Sequence, residues 1–433
     1  MKAPRPSSAG SVKQLALLLC TSFLLKALFR LWFSDPATYW KSGYSMYHRM
    51  SAGLLESGVL TYGGGKGGVY PCFRLPTYPA FIAAISWLAN DSPTVFIVCQ
   101  AAVSTLTVAL IYWITRGLAS ANAALIAALL YAVFPYAFVH DTQLQENGLY
   151  NGLSTLGIAL FLYGLDRPRV CLWMLLAGLA SGAAVLTRGT HIVPAMVLPI
   201  GLWVASRQPM RKKAAMTASV LCGISIVVAP WMLRNYSVGG RFALTSQAGF
   251  SLCVAHNPST FDYFPYRGSI DRSWGAYLNN VSEELQPRLA EIVQDEFRAS
   301  DYYRQEAFQY IREHPLETLR RGVVKVFVTF AGVMSPLADP VKNWMYFLSY
   351  WGLTGLAALG LPRLRGTSFW TVFWGFMAAQ AAFSFVYYAH TSHRSYLDPL
   401  LAVPAGIGAI ELWKRIRPDA RGLVGSPPGS VSS

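Results

Sequence analysis

Apolar runs about as long as a bilayer is thick recur along the whole chain, and they leave few folds open. A helix needs about 20 mostly apolar residues to cross the hydrocarbon core. Runs of that kind occupy 14–33, 93–115, 119–139, 146–165, 170–187, 191–206, 214–233, 342–361, 367–388 and 396–413. Backbone inside lipid must satisfy its own hydrogen bonds, so runs of this length predict an all-α polytopic membrane protein. Composition agrees, since 53% of the residues are hydrophobic and only 13% charged, too little charge to keep a soluble protein of this size dissolved. The formal charge of +15 invites comparison with nucleic-acid binders. The Lys and Arg residues instead sit in short loops between apolar runs, and no nucleic-acid recognition motif accompanies them, so no nucleic-acid partner is expected.

Charge also sets the topology. If the ten runs cross and the shorter stretches 76–90 and 322–336 do not, then Arg116, Arg167, Arg169, the cluster Arg207, Arg211, Lys212 and Lys213, and Arg363 and Arg365 share one side with both termini. By the positive-inside rule that side is cytoplasmic, and the short stretches lie in the outer interface or re-enter it. Four parts follow: a transmembrane module over 1–234 whose first external loop is 34–75, an extracytoplasmic subdomain over 235–341, C-terminal membrane helices over 342–415, and a cytoplasmic tail over 416–433. The tail, rich in Ser, Gly and Pro, is expected to be disordered. Within the subdomain, 299–321 has apolar residues at helical spacing among charges, which suits one or two helices lying along the interface. Of the six cysteines, Cys72 and Cys253 fall in external segments and leave a pairing open.

Candidate chemistry gathers at the external ends of the runs. Asp35 follows the first run directly, where a partly desolvated carboxylate suits a general base and an Asp-Pro turn suits it equally. His140, Asp141, Gln143, Gln145 and Glu146 form a dense polar group wedged between two runs, costly unless it faces a cavity. Glu146 fits a capped helix start, a catalytic carboxylate, or, with His140 and Asp141, a divalent-metal ligand. Arg74, Arg188, Arg234 and Arg394 all lie on the face where positive charge is disfavoured. Singly, each suits snorkelling to headgroups; together they suit a phosphate site, because guanidinium binds phosphate in a bidentate fork. The glycine run 63–68 with Lys66 lacks the spacing of a nucleotide loop and reads as a flexible loop. Asn235 and Asn280 stand in glycosylation sequons.

The order of the segments resembles the glycosyltransferase-C superfamily, in particular its protein O-mannosyltransferase-like and lipid A aminoarabinose transferase-like members. SAGLLESGVL resembles that family's first-loop helix, and RLPTYPAFIAA its R-P-P-x-Y-P-x-F-L-A segment. FPYAFVHDTQLQENGLYNGL resembles the second-loop stretch whose acidic residue corresponds to Glu146. GLASGAAVLTRGT resembles the helix end carrying Arg188, APWMLRNYSVGGRFALTSQAGFSLCVAHNP the P-W-x-x-R-N-Y stretch and the strand-like segment after it, AFQYIREHPLETL an interfacial helix, and SHRSYLDPLLAVPAGIGAIELW the last span.

The resemblance implies an inverting transfer from a polyprenyl-phosphate-linked sugar to a lipid, glycan or protein acceptor, outside the cytoplasm, with membrane lipids as surroundings; the one possible cofactor is the divalent metal that His140, Asp141 and Glu146 leave open. It implies Arg74, Tyr78, Arg188, Arg234, Arg394 and Tyr396 as donor-phosphate or substrate residues. It also implies a first-loop Asp as base, and here the sequence departs, for alignment on Ala52, Leu55 and Gly58 puts Tyr44 at that place. Asp35 is then the expected base, with Glu146 and Asp141 as alternatives. Arg-Leu-Pro also replaces Arg-Pro-Pro at 74–76, and Leu-Thr-Arg-Gly replaces Leu-Thr-Arg-Pro at 186–189. The competing readings are a flippase or transporter of lipid-linked sugars and a degenerate transferase.

Overall fold

A computed structural model of the chain describes residues 9–41, 44–63, 69–258, 260, 291–292, 294–332, 339–387 and 391–417. The glycine run beyond Gly63, residues 261–290 of the 235–341 subdomain with the Asn280 sequon, and the tail from 418 lie outside those residues. The described chain is helical apart from a two-stranded pairing of Tyr62–Gly63 with Val69–Tyr70.

In chain order the helices are α1 (Ala9–Trp32), α2 (Met46–Ser57), α3 (Thr77–Ala89), α4 (Pro93–Leu118), α5 (Ala121–Ala132), α6 (Pro135–His140), α7 (Asn147–Gly164), α8 (Val170–Thr187), α9 (Ile192–Ala195), α10 (Val197–Ala205), α11 (Met210–Gly239) and α12 (Gln247–Ala255). The series continues with α13 (Glu296–Glu313), α14 (Pro315–Phe330), α15 (Pro340–Gly360), α16 (Ser368–Val386) and α17 (Asp398–Ile416). Side-chain caps start several of them. Ser92 and Ser120 accept from the first-turn amides of α4 and α5, and Asp295, Asp339 and Thr367 do the same for α13, α15 and α16.

Among the described residues five helices are long and apolar enough to cross a bilayer: Gly10–Trp32, Pro93–Leu118, Val170–Thr187, Met210–Gly239 and Ser368–Val386. The chain is therefore an integral membrane protein, although the described helices do not reproduce ten clean crossings. The run 119–139 is not one helix. Phe134 takes an extended conformation ahead of Pro135, so α5 stops at Ala132 and the six-residue α6 turns away. The run 191–206 is likewise a 3-10 turn followed by the short α9 and α10, with Pro194 and Pro199 among them. The stretch 76–90 forms the short α3, and 322–330 of the second short stretch belongs to α14, while 333–336 lie outside the described residues. The strand-like segment expected after α11 is instead helix α12.

Without a hydrophobic force between helices in lipid, close packing needs small residues. A Cβ at Gly178 or Gly223 would collide with the facing backbone, which brings α8 and α11 together along their length. Gly360 and Gly408 play that part between α15 and α17. The main core joins α4, α5, α7, α8, α11 and α15 to α17. A second cluster, with Tyr39, Tyr47, Met50, Tyr78, Ile82 and Phe96, seats the first loop and α3 on α4. A third, with Leu252, Cys253, Tyr303 and Ala307, joins α12 to α13. Cys72 and Cys253 do not pair; both are buried free thiols. Asn235 is buried too, its amide donating to the Ala243 and Leu244 carbonyls, which removes it as a glycosylation acceptor.

Candidate functional site

The turn between α6 and α7 brings Glu146 to the first residue before α7, and the C-terminal end of α8 presents Arg188 opposite it. Their side chains meet at 2.7 Å and are only about a tenth exposed (11% and 10%). Arg188 also donates to Asn147 Oδ1 at 3.0 Å and to the Ser392 carbonyl at 2.5 Å, and its guanidinium lies 5.3 Å from the Tyr150 ring centroid. One Glu146 oxygen, Oε1, is thus engaged. The other, Oε2, is buried without a hydrogen-bond partner, as are Asn147 Nδ2, Arg74 Nε and the hydroxyls of Tyr136 and Tyr396. Native interiors rarely leave such atoms unpaired, so Glu146 Oε2 and Asn147 Nδ2, on neighbouring residues that both meet Arg188, mark a place built to receive a polar molecule.

The segment between α1 and α3 supplies Tyr47 and Arg74. Burial pushes the Tyr47 phenol of α2 well above its ordinary range; Glu146 pushes the same way, while Arg74 and Arg188 pull it back. Tyr47 therefore lies in the field of all three charges. Tyr44, where the family resemblance looks for Asp, is exposed and has its ring 6.2 Å from that of Tyr47. Arg74 lies beside Phe73 and Tyr62, at 5.3 and 5.8 Å, and donates to neutral Gln247 at 3.4 Å. With Arg188 balanced by Glu146, Arg74 leaves the local charge positive.

Other expected residues take different places. Asp35 is exposed and caps its own turn, accepting from the Ala37 amide and the Thr38 hydroxyl, each at 3.0 Å. Among the described residues no contact joins it to Glu146. Asp141 is buried, and its carboxylate accepts from Ser104, Tyr131 and Asn151 at 3.0, 3.1 and 3.0 Å. Ser104 in turn accepts from buried Lys26 at 2.7 Å, so Asp141 serves as the counter-charge for a lysine inside α1. Asn151 continues the chain to Ser395 at 3.0 Å, within the 3-10 turn Thr391–Leu397 that also holds Ser392 and Arg394. Arg394 pairs with Asp398 at 2.6 Å and lies 3.6 Å from the Tyr350 centroid. Arg234 donates to the Pro71 and Leu60 carbonyls at 2.5 and 3.1 Å, stapling the first loop to α11. Tyr78 donates to Gln100 at 2.9 Å in the core, and Tyr396 packs on Tyr150 and His191.

The metal candidates do not assemble. His140 stacks between Tyr136 and Tyr346, Asp141 is enclosed, and Glu146 is held by Arg188. No cluster of three or more His, Cys, Asp or Glu side chains is placed to hold an ion among the described residues. The sequence reading passes over Lys26 and Ser392. Lys26 carries a signal, a charge inside an apolar run. Ser392 contributes a backbone carbonyl, which no residue type announces.

A family model for dolichyl-phosphate-mannose-protein mannosyltransferase matches residues 71–233, a window that contains Arg74, Glu146 and Arg188. No curated protein matches the chain. Among solved structures, the archaeal oligosaccharyltransferase AglB from Archaeoglobus fulgidus, in complex with an inhibitory peptide and a dolichol-phosphate, is similar with a TM-score of 0.56 at 10% identity, covering 98% of this chain and 53% of that one. The apo form of the Archaeoglobus fulgidus oligosaccharyltransferase matches with a TM-score of 0.51 at 13% identity, over 95% of this chain and 51% of that one. ArnT from Cupriavidus metallidurans in the apo state scores 0.44 at 16% identity, over 96% and 81%. The chain spans about half the length of the oligosaccharyltransferase structures it matches. Its architecture is the glycosyltransferase-C fold, and its 71–233 segment is similar to the mannosyltransferase model.

Proposed function

We propose that the chain is an inverting membrane glycosyltransferase that moves a sugar from a polyprenyl phosphate to a hydroxyl of a lipid, glycan or protein acceptor on the extracytoplasmic face. The observation that carries the proposal is the buried Glu146–Arg188 pair with Glu146 Oε2 left open, beside the uncompensated Arg74. In this reading Glu146 takes over the role of base. Arg188 fixes the carboxylate through Oε1, and Oε2 accepts the acceptor's proton as its oxygen attacks the anomeric carbon. The bond from that carbon to the phosphate oxygen breaks, and the phosphate leaves with the electron pair. Arg74 and Arg188 face the charge that grows on it, the electrostatic part of the acceleration. Asp141, enclosed by three donors, acts as a positioning residue: through Asn151 and Ser395 it holds the turn whose Ser392 carbonyl orients Arg188.

Tyr44 at the family's base position favours a second reading, a degenerate transferase that binds the lipid-linked sugar without turning it over. One experiment separates the two. Glycolipids and glycoproteins of cells with the protein, without it, and with Glu146→Gln are compared by mass spectrometry. Transfer predicts sugar-mass additions that vanish in the last two, with the polyprenyl-phosphate sugar accumulating. Identical profiles in all three would overturn the proposal.

A further inference from the structure

A second cavity, of about 550 Å³, opens at the Glu146 end of the bundle between the last turns of α1 and the first turns of α15. Helix α1 rests on α4 and α5, and α15 on α17, so the short α6 forms the floor between them. The walls are apolar, from Phe29, Val139 and Met345, while Arg30 and Lys342 supply positive charge. Arg30 is 8% exposed and fixed in place, donating to the Val139 carbonyl at 2.7 Å and to Thr142 Oγ1 at 3.2 Å. The one carboxylate in the lining, Asp339, is turned to the amides of Val341 and Lys342 as the cap of α15. An apolar slot of this volume between α1 and α15, with two cations in its lining, has the form of an amphiphile site. The lining includes neither Arg74 nor Arg188, so Arg30 and Lys342 are a cationic set apart from theirs.

We infer that this groove binds an anionic phospholipid from the surrounding leaflet, with its phosphate between Arg30 and Lys342 and its acyl chains along Phe29, Val139 and Met345. Two separate cationic sets imply two anions, so the occupant is a lipid other than the donor proposed above. The binding itself does not require that transfer takes place.

The test uses the full chain in nanodiscs of neutral phosphatidylcholine carrying a photoreactive phosphatidylglycerol, with cross-links mapped by mass spectrometry. Labels are expected on the last turn of α1, on α6 and on the first turn of α15. Lys342→Gln, at an exposed position, should cut labelling roughly fivefold, the weight of one cation near a lipid phosphate. Met345→Trp, which fills the slot and leaves the charge unchanged, should cut it as well. Labels spread over other helices, equal labelling by a photoreactive phosphatidylcholine, or displacement by polyprenyl phosphate would each overturn the inference. Because the readout is binding, a chain inactive in transfer still passes or fails it.

Discussion

Glu146→Gln separates the chemical role of the carboxylate from its structural one. The amide keeps the shape and still accepts from Arg188, and Asn147 Oδ1 and the Ser392 carbonyl continue to hold the guanidinium. Breaking a buried pair outright costs about 3–5 kcal/mol. With three acceptors retained, the loss here should stay near 1–3 kcal/mol, and the variant should insert and fold. Activity should fall much further. Removing a general base costs about 10²–10⁴ in rate, equivalent to roughly 3–5 kcal/mol of barrier. The assay is transfer from a radiolabelled polyprenyl-phosphate sugar in detergent, paired with thermal melting of the same preparation. A folded variant with wild-type turnover would refute the reasoning, since no other carboxylate at this place has an open oxygen among the described residues.

Four further outcomes are expected. Asp35→Asn should keep activity within about twofold in the same assay, since an exposed Asn can cap the same turn. Arg188→Ala leaves Glu146 buried and uncompensated and should cost about 3–5 kcal/mol, read as a lower melting temperature. Gly408→Val drives a side chain into the Leu356 carbonyl and should cost about 1–3 kcal/mol or prevent assembly on a sizing column, whereas Gly352→Ala, with open space around it, should be tolerated. His256, beyond the C-terminal end of α12, is held down at about 4 by burial, with Lys325 acting the same way and the Val386 carbonyl opposing. The unfolded chain therefore takes up a proton near pH 6.5 that the folded one refuses. Stability should be fully present above that pH and fall by up to about 3 kcal/mol as pH drops toward 4, a trend that His256→Gln should flatten in melting curves.

Much of the membrane architecture is legible because apolar runs and prolines act locally. The run at 93–115 becomes α4 directly, with Ser92 and Pro93 marking its start. The breaks at Pro135 and Pro194 are written in the chain as well, but a count of apolar residues passes through them. The site is less legible because its partners are far apart in sequence. Glu146 and Arg188 stand 42 positions apart, and nothing local says they touch. Arg74, Arg188, Arg234 and Arg394 look alike as residue types. Only tertiary contacts show that Arg234 is bonded to backbone carbonyls and Arg394 to Asp398, while the hydrogen-bond partner of Arg74 among the described residues is neutral Gln247. Asp35 and Asp141 also look alike as residue types; only contacts distinguish the one that closes its own turn from the one that three donors surround.

If charges from distant parts of the chain together receive a lipid-borne phosphate, an electron cryomicroscopy map of the protein with bound polyprenyl phosphate will show it. Phosphate density is expected against the guanidinium groups of Arg74 and Arg188, near Glu146 Oε2. Phosphate density at the other end of the bundle, or among residues that include neither arginine, would contradict it.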